Sequence, residues 1–190
     1  MERSLFREIE ARGLREFSLL DVGSGSGELL RTTADWATAT GRRARLAGID
    51  LSPIAAETAR RDELGIEHLL GDARALPFED GAFDFLIASL FFHHLTNDVA
   101  AEVLSEMRRV AKLGVVVIDL NRHPAAWVLY RLMCAAFSIS PLVREDGSLS
   151  IMRAFTPGEL SEIAEAAGAQ DVTETRSLPF RIVLRTEAAG

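Results

Sequence analysis

The 190-residue chain has a single cysteine, Cys134, which rules out an intramolecular disulfide and with it a small scaffold stapled by bridges. A reducing compartment is the expected setting, and the cytoplasm the expected location. Long apolar runs are also missing. The longest, 125–139, is interrupted by Arg131 and is too short to span a bilayer comfortably. The first residues, MERSLFREIEARG, put charges into every turn and lack the apolar core of a signal peptide, so no stable membrane insertion is expected. Positive charge is in deficit, with 21 Lys and Arg against 28 Asp and Glu and a net charge of −7. Wide contact with a phosphate backbone depends on clustered cations, so nucleic acid is not an expected partner. Internal repeats, low-complexity tracts and linkers are absent too, which leaves one domain, 1–190, with 1–16 as a helical extension.

What is present suits a globular protein with a sizeable core: 48% hydrophobic and 26% charged residues. Strand and helix patterns alternate along most of the length. Strands are expected at 17–22, 45–50, 66–70, 83–89 and 115–120, the last a continuous β-branched run of the kind buried on both faces. Helices are expected at 28–40, from Ser52-Pro53 to about 64, from Asn97 or Asp98 to about 112, at 124–138, and from Thr156 to near Gly168. Residues 140–154 read as irregular. Two final strands, 171–176 and 180–185, lie too close together for a helical crossover and must pair as a hairpin around Leu178-Pro179. The expected fold is therefore α/β: an open, mostly parallel, Rossmann-like seven-stranded sheet with helices on both faces and an antiparallel strand from the C-terminal hairpin.

The densest signal is Leu19-Leu20-Asp21-Val22-Gly23-Ser24-Gly25-Ser26-Gly27-Glu28-Leu29-Leu30. An apolar strand ends in an acid, three alternating glycines turn the chain, and a helix begins, so that backbone can approach a ligand closely. The dinucleotide fingerprint needs its third glycine where Glu28 stands. A carboxylate there suits a pyrophosphate poorly, and Asp21 at the strand end suits a ligand with a positive group such as an ammonium. A nicotinamide-dependent oxidoreductase is accordingly the weaker reading, and a cofactor-binding protein without catalysis is a second rival.

The stretch resembles motif I of the class I S-adenosylmethionine-dependent methyltransferases, and the likeness extends over about 17–186. It implies S-adenosylmethionine as cofactor, held by a loop containing Asp21, Gly23, Ser24, Gly25 and Gly27. Asp50, in Gly48-Ile49-Asp50-Leu51-Ser52-Pro53, ends the second strand, where a carboxylate can accept from both hydroxyls of a ribose; the alternative is a solvated loop acid. Leu51 beside it can pack on an adenine face. Asp72 and the Ala73 amide end the third strand, placed to meet the adenine amine and a ring nitrogen, unless Asp72 caps the turn that follows. The run from Asp72 through Ala73-Arg74-Ala75-Leu76-Pro77-Phe78 to Asp84 matches the family closely.

Ser89 ends the fourth strand, where the resemblance places it beside the methionine portion of the cofactor. His93 and His94 follow, and either can take a proton from a hydroxyl acceptor or serve as a cap or cross-sheet hydrogen-bonding group. Asp119 and Arg122, after the fifth strand, lie where an acceptor would enter; a capping cluster for the next helix is the other reading. No metal is expected, because adjacent histidines cannot readily chelate one ion together. The segments SLFFHHL, VVVIDLNR and 142–156 look like a bacterial subgroup associated with polyketide, phenol or quinone tailoring. The acceptor implied is a small hydrophobic molecule, and 124–155 becomes a substrate-side insertion. The N-terminal extension is shorter than in relatives that carry further helices there, which argues against an N-terminal lid.

Overall fold

The computed structural model describes residues 3–59, 65–137, 139–177 and 180–189. It opens with α1 (Arg3–Ala11), then β1 (Glu16–Val22), α2 (Glu28–Ala39), β2 (Arg43–Asp50), α3 (Pro53–Ala59), β3 (Glu67–Leu70) and β4 (Phe83–Ser89). A single 3-10 turn, Phe92–His94, precedes α4 (Asn97–Val110) and β5 (Ala111–Leu120). Three consecutive helices follow, α5 (Pro124–Ala136), α6 (Pro141–Arg153) and α7 (Pro157–Ala166), and then the pair β6 (Val172–Ser177) and β7 (Arg181–Glu187).

The seven strands form one sheet in the order β3-β2-β1-β4-β5-β7-β6. The first five run parallel, and β7 lies antiparallel to both β5 and β6. This is the expected Rossmann-like arrangement. Strand order reverses between β1 and β4, and at such a point the chains leaving the two carboxyl ends part in opposite directions and open a crevice.

Alternation along the strands divides the core in two. Leu20, Val22, Leu86 and Ala88 join one buried cluster with Val103, Leu104 and Met107 of α4 and Leu160 and Ile163 of α7. Leu19, Phe85 and Ile87 face the other way, against Leu5 and Ile9 of α1 and Leu30 and Ala37 of α2. Period-2 strands feeding period-3.6 helices on both faces is what the parallel sheet requires.

The helix starts follow local chemistry. Ser52 Oγ accepts from the Ala55 amide at 3.3 Å, and Thr156 forms a reciprocal capping box with Glu159 ahead of Pro157. The α4 start differs from expectation: its N-cap is Thr96, and Asp98 lies in the first turn. Two expected features, the end of the third helix near 64 and the turn at Leu178-Pro179, fall outside the described residues.

The main correction concerns 140–154, expected to be irregular. It is the helix α6, with Ser140 as N-cap accepting from Val143 and Pro141 in the first turn. Asp146, Gly147 and Ser148 dilute the apolar period and imitate a loop. Gly147 is there for packing: a Cβ at that position would lie 2.2 Å from Tyr130 Oη of α5. Tyr130 in turn donates to the Val143 carbonyl at 2.8 Å, so the two helices lock together at this point.

Gly147→Ala should therefore destabilise the protein, although alanine improves an exposed helix interior by about 1 kcal/mol. Overpacking against Tyr130 is expected to leave a net loss of about 1–2 kcal/mol. Urea unfolding is the measurement, and Gly147→Ala combined with Tyr130→Ala should recover the helix gain. A stabilised single variant would show that the two helices part easily.

Candidate active site

The glycine loop hangs from the end of β2. The amides of Gly23 and Ser24 both donate to the Ile49 carbonyl, at 2.9 and 3.2 Å. The next amide, Gly25, donates to Asp50 Oδ2 at 2.8 Å. Gly23, Gly25 and Gly27 have φ of 73°, 53° and 78°, a left-handed run that side chains resist. A Cβ on Gly25 would meet nothing within 4 Å, whereas one on Gly23 would strike the Phe91 ring at 2.5 Å. Gly25 thus presents bare backbone to open space.

Two cavities meet at Gly23. One, of about 340 Å³, is lined by Asp21, Gly25, Glu28, Thr32 and Ser89. The other, of about 260 Å³, is lined by Asp50, Leu51, Asp72, Ala73, Phe91 and Val103. The loop residues, the ends of β2 and β3, and the residue ending β4 therefore come together along one groove, as their positions in sequence require.

The first cavity offers a partner to each charge of a zwitterionic group. Asp21 is 2% exposed, and its Oδ1 is buried without a hydrogen-bond partner. Burial, reinforced by the negative charge of Asp50, pushes its carboxyl from 3.8 up to about 7. Opposite it begins α2, whose N-cap, Gly27, supplies no side-chain acceptor to the first-turn amides. Free amides at a helix start attract a carboxylate, and an unpaired buried acid attracts a cation. An α-amino acid end, with its ammonium and carboxylate, fits both.

The second cavity suits a nucleoside. Asp50 already accepts from Gly25 through Oδ2 and from Ser52 through Oδ1, each at 2.8 Å. Each oxygen keeps a further lone pair, so the carboxylate is oriented by the loop and still able to accept. Leu51 stands 71% exposed at the rim. Asp72 differs from expectation in being engaged by Arg74, whose guanidinium reaches both carboxylate oxygens at 2.6–3.1 Å. Arg74 also donates its amide to Asp72 Oδ1. Those bonds hold the Asp72 carboxyl below its ordinary range. The turn-capping role is thus present in the structure, and Ala73 beside it is partly buried and lines the second cavity.

The acceptor side departs further from the sequence reading. Asp119 was expected to contact an acceptor, but it is fully buried. Its Oδ1 meets His93 Nδ1 at 2.7 Å and its Oδ2 accepts the His93 amide at 2.9 Å. The register of β4 on β5, with Ser89 opposite Ile118, brings the turn after Ser89 against Asp119. Asp119 is therefore a partner of His93 and not a free group in the crevice. Arg122 is likewise bound, to Glu159 of the α7 capping box at 2.5 Å. His94 is exposed, its ring 4.1 Å from that of His93. Partial burial and then the adjacent His93 hold it below the usual imidazole range, leaving it neutral near pH 7.

Sequence reasoning missed Phe91, which roofs Gly23, and Leu95, Val99 and Val103, which wall the second cavity. Their apolar spacing reads only as core. Close to the ends of β5 and β7 a third cavity, of about 180 Å³, opens between Leu120, Leu129, Tyr130, Met133, Ile151 and Phe180.

Comparison with known proteins agrees with this geometry. Residues 19–114 match the family model described as a methyltransferase domain. A demethylmenaquinone methyltransferase of Roseiflexus castenholzii is 30% identical over 171 residues, covering 81% of this chain and 68% of that protein. One from Staphylococcus aureus is 29% identical over 135 residues, covering 69% and 54%. Among solved structures, a SAM-dependent methyltransferase from Aquifex aeolicus superposes with a TM-score of 0.71 at 21% identity, over 98% of this chain and 89% of that one. The magnesium protoporphyrin IX methyltransferase of Synechocystis, with SAH bound, gives 0.65 at 16% identity over 98% and 81%. The chain belongs to the class I S-adenosylmethionine-dependent methyltransferases.

Gly25→Ala should weaken cofactor binding by more than tenfold, because its methyl group enters the open space where backbone faces the ligand. The left-handed backbone at this residue should cost about 1–2 kcal/mol of stability. Calorimetric titration with S-adenosylhomocysteine, beside urea unfolding, separates the two effects. Undiminished affinity in the folded variant would place the ligand elsewhere.

Proposed function

We propose that this enzyme methylates a small hydrophobic acceptor, most directly at a hydroxyl oxygen of a phenol, quinol or polyketide-like molecule. The observation that carries this reading is the buried His93–Asp119 pair at the ends of β4 and β5, with the apolar α5–α6 hairpin beyond it. The curated relatives are named for a quinone acceptor, which is consistent with a flat, apolar substrate.

S-adenosylmethionine, when bound, supplies a methyl group already activated on a sulfonium. What the chain must add is alignment and a dry site. Asp21 and the start of α2 hold the amino-acid end. Gly23, Ser24, Gly25 and Gly27 let the backbone approach it, and Ser89 flanks it. Asp50 accepts from the ribose, while Leu51, Asp72 and Ala73 bound the adenine. Residues 124–155 form the substrate side of a single domain, 1–190. The third cavity receives the acceptor body, and Arg122 stays at its edge.

His93 is the base. With Asp119 accepting, the ring proton lies on Nδ1 and Nε2 keeps the lone pair that takes a hydroxyl proton. The neutral His94 packs its ring beside that of His93. Among the described residues no helix is long and apolar enough to cross a membrane, and the net charge of −7 makes nucleic acid an unfavourable substrate. A cytoplasmic enzyme acting on a small molecule satisfies both.

Transfer of label from S-adenosylmethionine to a panel of phenols and quinols tests the acceptor class; no labelled product with any of them would reject it. With a working acceptor, His93→Gln should lower turnover by about 10²–10⁴-fold with cofactor affinity unchanged. His94→Gln should cost little. Wild-type turnover in His93→Gln would remove the base from this position.

A further inference from the structure

We infer that Asp21 carries a proton in the ligand-free protein on the acid side of neutrality and loses it to solvent when the cofactor's ammonium arrives, so that cofactor binding there releases up to one proton. This deepens the cofactor reading above and depends on it. The geometry is that of an acid kept without a partner. Asp21, the last residue but one of β1, lies on the switch crevice, is 2% exposed, has an unpartnered buried Oδ1, and lines the cavity at the glycine loop. The loop amides that would satisfy it are committed elsewhere: Gly23 and Ser24 to the Ile49 carbonyl, Gly25 to Asp50.

The surrounding charges have the wrong sign for a carboxylate. Asp50 stands at the end of β2, and Glu28 at the start of α2 lines the same cavity. From the β4 side come only Ser89 and Leu90, which are neutral. Among the described residues lining this cavity none is cationic. Desolvation and Asp50 together keep the carboxyl titrating at about 7. An ammonium in the cavity that the Asp21 carboxyl lines supplies the missing counter-charge and stabilises the ionised form. The balance is simple: the carboxylic acid gives up one proton to the buffer and the carboxylate pairs with the cation.

The sign of the linkage follows. Below about pH 7 the acid must first ionise, so affinity should fall about tenfold per pH unit on the acid side and level off above it. The ligand-free fold behaves oppositely. Because the folded value lies above the unfolded one, Asp21 favours the folded state most below the unfolded value of 3.8. That contribution is lost as pH rises through about 7. The acid is thus a liability to the empty fold at the pH where it is most useful to the ligand.

The test is calorimetric titration of the full chain with S-adenosylhomocysteine from about pH 5.5 to 7.5, in paired buffers of different ionisation heat. Near the lower end close to one proton should be released per ligand bound, falling towards none at the upper end. Asp21→Asn should abolish the release, bind at least tenfold more weakly near neutrality, and melt at a higher temperature than wild type without ligand at about pH 8. Asp50→Asn, which removes the neighbouring charge, should move the midpoint of proton release to lower pH. Tight binding with no proton release, or release that persists in Asp21→Asn, overturns the inference while leaving the cofactor assignment standing. Absence of binding at every pH overturns both.

Discussion

Three successive amides, those of Gly23, Ser24 and Gly25, are fixed by two residues at the end of β2. The site depends on this attachment. Parallel pairing of β1 with β2, Val22 beside Ile49, delivers the loop to the Ile49 carbonyl and the Asp50 carboxylate. The loop can then turn left-handed three times without losing its hydrogen bonds, and its bare face at Gly25 is left towards solvent. Gly48 serves the same purpose from beneath, since a Cβ there would lie 2.7 Å from Ser24 Oγ. A β2 shifted by one residue would misplace the carboxylate and turn its apolar side chains to the opposite faces.

Asp50 is a structural brace, and the ligand role proposed for it is compatible with that because a carboxylate has more acceptor positions than the loop consumes. Asp21 is the contrasting acid. It is deeper, its Oδ1 is unpartnered, and it faces a second acid, between the buried apolar side chains of Leu20 and Val22. Asp72 is a third case, balanced locally by Arg74 two residues on. Three acids at three adjacent strand ends have thus been given different electrostatic surroundings by their depth and by what lies beside them. Sequence position alone makes them look equivalent.

That difference marks how far the sequence could be read. The alternation of strands and helices, the exact span of β4, and the hairpin of β6 and β7 were legible because pattern and spacing decide them locally. The groove was legible as well: each residue expected in the cofactor site ends a strand or follows one, and parallel strands bring their ends to one edge. What escaped were relations between distant residues. His93 and Asp119 stand 26 positions apart, and only the β4–β5 register joins them. The helix α6 escaped for a different reason. Its Ser140-Pro141 start repeats the Ser52-Pro53 signal, but Gly147 belongs to a helix interior only because Tyr130 needs the space.

The distribution of apolar surface bears on the same division. Among the described residues the exposed large hydrophobic side chains are not scattered: apart from Leu51, Ile54 and Leu70, all lie between Trp127 and Met152. Leu51 rims the second cavity, and Ile54 and Leu70 flank it in sequence, while Leu129, Met133 and their neighbours surround the third. Single exposed hydrophobic residues carry no meaning, but a concentration of them around cavities does. On the opposite side of the sheet from α4 and α7, Leu5 and Ile9 of α1 are fully covered. The chain buries its apolar residues efficiently wherever only stability is at issue. It leaves them uncovered where β2, β3 and β5 end, along the edge of the sheet at which the crevice between β1 and β4 opens.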